Sequence, residues 1–419
     1  MSDELTAEEF IEAPPPETPQ PSQHFAARFG WATGILPSLL TVLLAFLVSG
    51  IAILAIGKNP IKVYRAIFDG TGLNWFFHFG SYSIRIPFAT THVWFWWDTS
   101  STAAQNLQQT LITTTPIILT ALAVAFPFRS GLFNIGGQGQ YFVGSYFAVW
   151  VGSSIAGLNG PVHIAFAIVA GALAGAAWAG IAGILKATVG AHEVISTIML
   201  NWIAIYVGSY LLGQGGPLQN TTQPAIPVSN NIVDNAKLPI FWGPPLLQGL
   251  SVAIFIALGM LIVYSIIINR STLGYEVRAV GFNPEAARYG GISVARNYFL
   301  AMAIAGAFAG LAGALDVLGW RYNLGQLDVT SNVVQIGFIG LAAALLGRNT
   351  ALGVGAASLL FGALLTGTSG RQLDPSIFRP DLAGNLTTII QGLVVLFVGL
   401  NLTALPVWWR KRRSRGAAT

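Results

Sequence analysis

The 419-residue chain contains no cysteine, which excludes disulfides and thiolate metal ligands. Its five histidines, His24, His78, His92, His163 and His192, share no ligand spacing, so no metal site is expected. Charge is equally scarce. Only 9% of residues are Asp, Glu, Lys or Arg, where a soluble domain carries about 25%. With 53% hydrophobic residues and a mean hydropathy of +0.63, the polar side chains are too few to cover a water-facing surface. The chain is expected in lipid. The two-residue alternation of a β-barrel is missing, which leaves helices as the element that satisfies its own backbone in hydrocarbon. G-x-S-x-G, H-E-x-x-H and a carboxylate pair at one membrane depth are all absent, so no catalytic residue is expected. A ladder of buried Asp, Glu, His or Lys to relay protons or sodium is missing too, which weighs against ion-coupled transport.

What is present is apolar stretches. Crossing ~30 Å of hydrocarbon takes roughly 20 residues. Ten stretches qualify or come close: 34–56, 107–127, 132–155, 162–185, 192–213, 247–268, 297–319, 333–347, 350–368 and 386–404. The fold class is therefore an all-α polytopic membrane protein of about ten transmembrane helices. The eighth stretch is short and reads as a re-entrant or partial helix.

Basic residues orient the bundle, because short cytoplasmic loops retain Lys and Arg. Ten crossings from an inner N-terminus put Arg129, Lys186, the Arg270–Arg296 loop, Arg348 and the Arg410–Arg415 tail inside, with both termini cytoplasmic. Of 21 Lys and Arg, 13 then lie inside. Residues 1–30 are acidic and proline-rich, lack the layout of a secretory signal, and are expected to form a disordered cytoplasmic tail. Residues 31–405 form the transmembrane domain, and 406–419 form a basic cytoplasmic tail.

Two outer segments interrupt the apolar pattern. Residues 57–106 carry Trp75, Trp94, Trp96 and Trp97, rings suited to the headgroup layer; an interfacial anchor is the expected role, a docking surface for an extracytoplasmic partner the alternative. Residues 214–246 are rich in Pro, Asn and Gln and read as a lid or connection. Within the spans, Gly171/Gly175 and Gly306/Gly310 recur at four-residue spacing, the signature of closely packed helices in lipid.

Four places carry polar chemistry. GLFNIGGQGQ sets Asn134, Gln138 and Gln140 among glycines at a helix entry. It lacks the lysine of a P-loop and follows no strand, so a helix break lining a wet cavity is the better reading. Ser196, Thr197 and Asn201 share part of one helix face, and Asn201 is the distinctive one. Glu193 fits a first-turn acid at a helix N-terminus. Asp316 lies near the outer end of its span, either at the interface or functional. The fourth place is the polar run Arg270–Asn297, with four arginines and two glutamates, a handle by which another protein can act on the bundle.

GLFNIGGQGQ, EVISTIMLNWIA, GYEVRAVGFNPEAARYGGIS and GFIGLAAALLGRN, in that order, resemble the membrane permease subunits of bacterial ABC importers. The family is that serving branched-chain amino acids, ribose-type sugars and nucleosides, and NIGGQGQ with GFNPEAARYGGI is most similar to its nucleoside and simple-sugar branch. The resemblance covers roughly 107–405. It implies a multi-pass subunit of the bacterial cytoplasmic membrane that forms the path for a nucleoside or simple sugar. A branched-chain amino acid permease, an ion-coupled secondary carrier and a non-transporting scaffold are the alternatives. Implied partners are a second permease chain, giving a heterodimer, a cytoplasmic ABC ATPase that holds ATP and magnesium, an extracytoplasmic substrate-binding lipoprotein, and membrane lipid; nucleic acid is not among them, and no cofactor sits on this chain. Residues 270–296 become the cytoplasmic coupling loop, with Glu285, Ala286, Ala287 and Gly291 matching E-A-A-x-x-x-G. Glu276, Arg278, Asn283 and Arg288 complete the ATPase-coupling set, and Asn134, Gln138, Gln140, Ser196, Asn201 and Asp316 are the expected path residues. The hydrophobic-proline ending of the general coupling motif is missing after Gly291.

Overall fold

The computed structural model describes residues 30–77, 79–85, 92–155, 157–243, 249–330, 336–368 and 380–399. The acidic N-terminal tail, the basic C-terminal tail and the end of the tenth stretch lie outside them. The helices are α1 (Gly30–Ala55), α2 (Pro60–Thr71), α3 (Thr102–Phe128), α4 (Gly137–Ser154), α5 (Gly160–Val189), α6 (Glu193–Leu212), α7 (Ala253–Arg270), α8 (Thr272–Phe282), α9 (Pro284–Tyr289), α10 (Val294–Asp316), α11 (Gln326–Thr330), α12 (Ile336–Leu346), α13 (Ala351–Gly367) and α14 (Pro380–Gly399). Each of the ten expected stretches holds a helix among its described residues, although residues 132–136 precede α4 outside any helix and Leu250–Ser251 form a strand before α7. Among the described residues six helices are long and apolar enough to cross a membrane: α1 from Pro37, α3, α5, α6, α7 and α10 with its extension to Arg321.

The eighth stretch is the clear departure from full crossings. Among the described residues α12 has 11 residues and reaches roughly 16 Å at 1.5 Å per residue, about half the ~30 Å of hydrocarbon. The all-α class holds, with two short ribbons beside the helices. β1 (Phe79–Arg85) and β2 (His92–Trp97) pair antiparallel, as do β3 (Ile240–Trp242) and β4 (Leu250–Ser251). The described residues of the 57–106 segment hold an amphipathic helix, two paired strands and the first turn of α3, which begins five residues before the apolar stretch.

α3 runs through the centre: 83% of its most apolar window is buried, against 28% in α5, α6 and α7. Pro116 inside it removes one backbone donor. Nearby, Thr114 and Thr120 return their hydroxyls to the carbonyls of Thr110 and Pro116 at 2.7 and 2.9 Å, so these polar side chains stay satisfied without water.

Backbone contact holds the bundle around α3. The two glycine pairs face one another across α5 and α10: a Cβ at Gly306 would overlap the Gly175 carbonyl, and one at Gly310 would meet the Gly171 carbonyl and lie 2.9 Å from the Gly175 Cα. Gly144 of α4 abuts Gly310, and Gly313 abuts the Tyr141 carbonyl. Helix association in lipid depends on such close packing because the tails are already apolar.

Side chains at the seam must therefore be resisted strongly. Gly175→Leu should cost about 1–3 kcal/mol or more through overpacking, read as a fall in the melting temperature of the purified protein. Gly259→Ala, at a helical position with open space around it, should leave that temperature unchanged or slightly raised.

Candidate functional site

The chain leaves α3 at Arg129, turns at Gly131 (φ 76°) and re-enters the bundle extended before α4 starts at Gly137. A helix that begins inside a bundle exposes N–H groups with no water to take them. Side-chain amides do that work here. Asn134 is fully buried; its Oδ1 accepts from Gly136 N at 2.9 Å and from Gln140 Nε2 at 3.0 Å. Its Nδ2 donates to Gln140 Oε1 at 3.0 Å and to the Ala123 carbonyl at 3.1 Å. From α6, Asn201 accepts from Gly139 N at 2.7 Å and donates to the Ile135 carbonyl at 2.9 Å.

A second helix lies opposite. Gln138 Oε1 accepts from Gly337 N, in the first described turn of α12, at 2.7 Å, and a Cβ at Gly337 would overlap the Gln138 backbone. The start of α4 and the first described turn of α12 therefore meet inside the bundle. The positive dipole end of α4 and several amides lie there, with no fixed charge among them. That suits uncharged polar groups offering both donors and acceptors.

In this conformation the site is closed. Asn134, Gln138, Gln140 and Asn201 are buried and bonded within the bundle, a different placement from an open, solvent-lined wall. Ser196 is half-buried, and its hydroxyl returns to the His192 carbonyl at 3.2 Å. Glu193 pairs with Lys186 at 2.9 Å across the turn between α5 and α6.

Asp316 occupies a separate place at the far end of α10. Only 2% exposed, it accepts from the Tyr141 hydroxyl, the Trp320 indole and Arg321 Nε, the last at 2.6 Å. Arg321 also reaches Asp328 at 3.3 Å. The sequence marked Asp316 but not its partners: Tyr141 arrives from α4, and Trp320 and Arg321 come through a π-helical turn, Val317–Arg321, whose extra residue per turn shifts them back toward the carboxylate. Beside this cluster, Thr115, Pro116, Ser251 and Trp320 line a cavity of about 10 Å³, room for one water molecule.

The polar run expected to act as a coupling loop folds as α8 and α9. Asn283 caps α9 by accepting from Glu285 N at 2.9 Å and Ala286 N at 3.1 Å, and Pro284 fills the first helical position, where a missing N–H costs nothing. Ala287 packs with Val280 and Val294 in a small core of its own. Glu285, Ala286, Arg288, Gly291, Phe282 and Tyr289 remain exposed. Glu276 points inward, accepting from Asn297 Nδ2 at 3.0 Å and tying α8 to α10; Arg278 is half-buried. Gly281 lies so close to Arg129 that a Cβ would strike its carbonyl. Arg129 in turn donates to the Asn349 carbonyl at 2.7 Å, as does the Tyr264 hydroxyl. The sequence marked Arg129 only as a basic residue of an inner loop and did not mark Gly281, since its close approach to Arg129 and the Arg129–Asn349 bond both join segments far apart in the chain.

These features define a multi-pass membrane protein with broken helices meeting inside the bundle and a two-helix projection at one end. The chain belongs to the family described as branched-chain amino acid transport system / permease component, which it matches over residues 106–399. It is 38% identical over 319 residues to the guanosine ABC transporter permease protein NupP of Bacillus subtilis (strain 168), covering 74% of this chain and 85% of the relative. It is 32% identical over 372 residues to the nucleoside ABC transporter permease protein NupB of Lactococcus lactis subsp. cremoris (strain MG1363), covering 87% and 91%. The glucose ABC transporter permease protein TsgB13 of Haloferax volcanii is 31% identical over 367 residues, covering 86% of each chain. No solved structure matches the chain.

Removing one amide partner leaves a buried group unpaired, at about 1–3 kcal/mol each. Asn201→Ala strands both Gly139 N and the Ile135 carbonyl and should lower the melting temperature more than Ser196→Ala. Asp316→Ala leaves Arg321 without its nearest carboxylate and should cost about 3–5 kcal/mol, measured the same way.

Proposed function

We propose that this chain is a membrane-spanning subunit of an ATP-driven importer and that its cargo is a nucleoside, with a simple sugar as the second reading. The observation that carries the cargo is the convergence of buried, uncharged amides where the start of α4 meets α12, which fits base and ribose edges that donate and accept hydrogen bonds. The printed activities of the relatives, guanosine, nucleosides and glucose, support the same range. A branched-chain amino acid is the weaker fit, because its zwitterion requires charge at both ends.

The mechanism begins at α9. A cytoplasmic ATPase, holding ATP and magnesium, seats on the exposed Glu285, Arg288, Phe282 and Tyr289, with Asn283 and Gly291 fixing the ends of the helix. Its closure displaces α8 and α9. The close approach of Gly281 to Arg129 passes that displacement to the end of α3, and the Arg129–Asn349 bond passes it to the α12–α13 junction. Moving α12 separates Gly337 from Gln138 and opens their meeting point as a path, with Asn134, Gln138, Gln140 and Asn201 becoming its lining and Asp316 closing its other end. Swinging such an equilibrium from 1:99 to 99:1 takes ~5.5 kcal/mol, which nucleotide binding on the ATPase supplies.

The half of α6 facing out of the bundle is the contact with a second permease chain, most simply a companion making a heterodimer. Met199, Trp202, Tyr206 and Tyr210 recur there at helical spacing, and both tyrosines are about 70% exposed within an apolar span, a costly place for hydroxyls facing lipid. A substrate-binding lipoprotein delivers the solute from outside.

In the assembled transporter, Glu285→Arg should retain solute binding and lose solute-stimulated ATP hydrolysis; preserved stimulation refutes the docking assignment. Uptake of labelled guanosine, uridine, ribose, glucose and leucine by a deletion strain carrying this gene should show nucleosides first, and leucine first would overturn the cargo.

A further inference from the structure

The aromatic segment before α3 has a geometry the transport reading leaves unused. β2 alternates. Phe95 and Trp97 turn toward Trp75, with ring centroids 5.9 and 5.4 Å away, and Trp75 in turn lies 4.9 Å from Trp242 beside β3. The indoles of this cluster are bonded: Trp75 to the Asp98 carbonyl, Trp97 to the Phe76 carbonyl and Trp242 to the Thr99 carbonyl. One side of the ribbon is therefore fastened to the protein. The other side presents Trp94 and Trp96, 59% and 55% exposed, and at the end of the ribbon Phe77 and Phe79, the latter packed on the outer edge of Trp97, are 75% and 69% exposed.

The depth of that exposed edge follows from α3. Its 27 residues extend roughly 40 Å, longer than ~30 Å of hydrocarbon, and its apolar stretch begins only at residue 107, so the first turn, residues 102–106, falls in the headgroup layer. β2 ends five residues before that turn. α2 lies at the same level: Gly72, at its end, is pressed against the Ala103–Leu107 backbone of α3. α2 buries Val63 and Ile67 against the bundle and leaves Lys62, Arg65 and Ile61 outward. The lipid-facing row of α1, Leu43, Leu47, Ile51 and Leu54, leads directly into this region. The opposite end of α3 carries Arg129 and meets α8.

We propose that α2 and the β1–β2 ribbon form a membrane-surface anchor at the end of the bundle remote from α8 and α9. Phe77, Phe79 and Trp96 enter the headgroup layer, and Lys62 and Arg65 face lipid phosphates. Amphipathic aromatic rings favour that layer, and Lys62 and Arg65, exposed on the adjoining helix with Asp69, complement its phosphates. The anchor holds the outer ends of α3 and α13, which α2 touches through Gly72 and Gly367, at a fixed depth while the other end moves. This proposal depends on the membrane-spanning fold and is independent of which solute is carried.

The absence of native cysteine allows single-site labelling of the full chain. Phe77→Cys, Phe79→Cys, Trp96→Cys and Ser100→Cys, each nitroxide-labelled and reconstituted in phosphatidylglycerol-containing nanodiscs, are compared by collision with oxygen and with a water-soluble nickel chelate. The expected result is an oxygen-to-nickel accessibility ratio severalfold higher at 77, 79 and 96 than at Ser100, unchanged when the substrate-binding lipoprotein is added. Nickel accessibility equal to Ser100 at all three sites overturns the anchor. So does protection that arises only with the lipoprotein, which would make the ribbon a protein-docking face. Retained folding of each variant is read from its melting temperature, and the three labelled sites test the surface independently.

Discussion

The bundle depends on the backbone-to-backbone approach of α5 and α10. Water does not drive apolar helices together once they are in lipid, so their association rests on dispersion contacts and on the few hydrogen bonds available. Gly171, Gly175, Gly306 and Gly310 remove the side chains that would hold the two helices apart, and Gly144 lets α4 join them. Most of the other arrangements are referred to this seam: α10 ends in the Asp316 cluster, and α4 begins in the amide cluster.

Those two clusters solve one problem in different ways. A helix start and a helix end both lie where water is scarce, and each needs partners for its polar groups. At the start of α4, neutral amides from Asn134, Gln140 and Asn201 take the orphan groups. At the end of α10, a carboxylate gathers a hydroxyl, an indole and a guanidinium. The neutral solution comes apart at lower cost, because separating amides exposes no bare charge. The ionic one is suited to staying closed. This difference places the moving part of the proposed cycle at α4 and α12 and the fixed part at Asp316.

The end that carries α8 and α9 has the same division between packing and contact. Ala287 is buried with Val280 and Val294, while Glu285 and Arg288 face out, so one short helix both holds itself to the bundle and presents a charged surface. Glu276 belongs with the packing half, as its bond to Asn297 shows. Arg129 links this end to two helices far apart in sequence through the Asn349 carbonyl.

The sequence by itself determined the solvent, the positions of the helices, the glycine seam and the uncharged character of the polar core, because composition and periodicity are local properties and lipid admits few ways of satisfying a backbone. The four motifs likewise marked the family. Only the tertiary structure decided which amide bonds which: the Gln138–Gly337 contact joins residues 199 positions apart, a separation that leaves no local trace. The π-helical turn at Val317–Arg321 and the short reach of α12 also depended on it, since each is set by what the segment packs against. The outer ribbon was legible as an aromatic cluster, but which rings are fastened inward and which are left outward follows from strand alternation and the place of Trp75, and those exist only once the chain has folded.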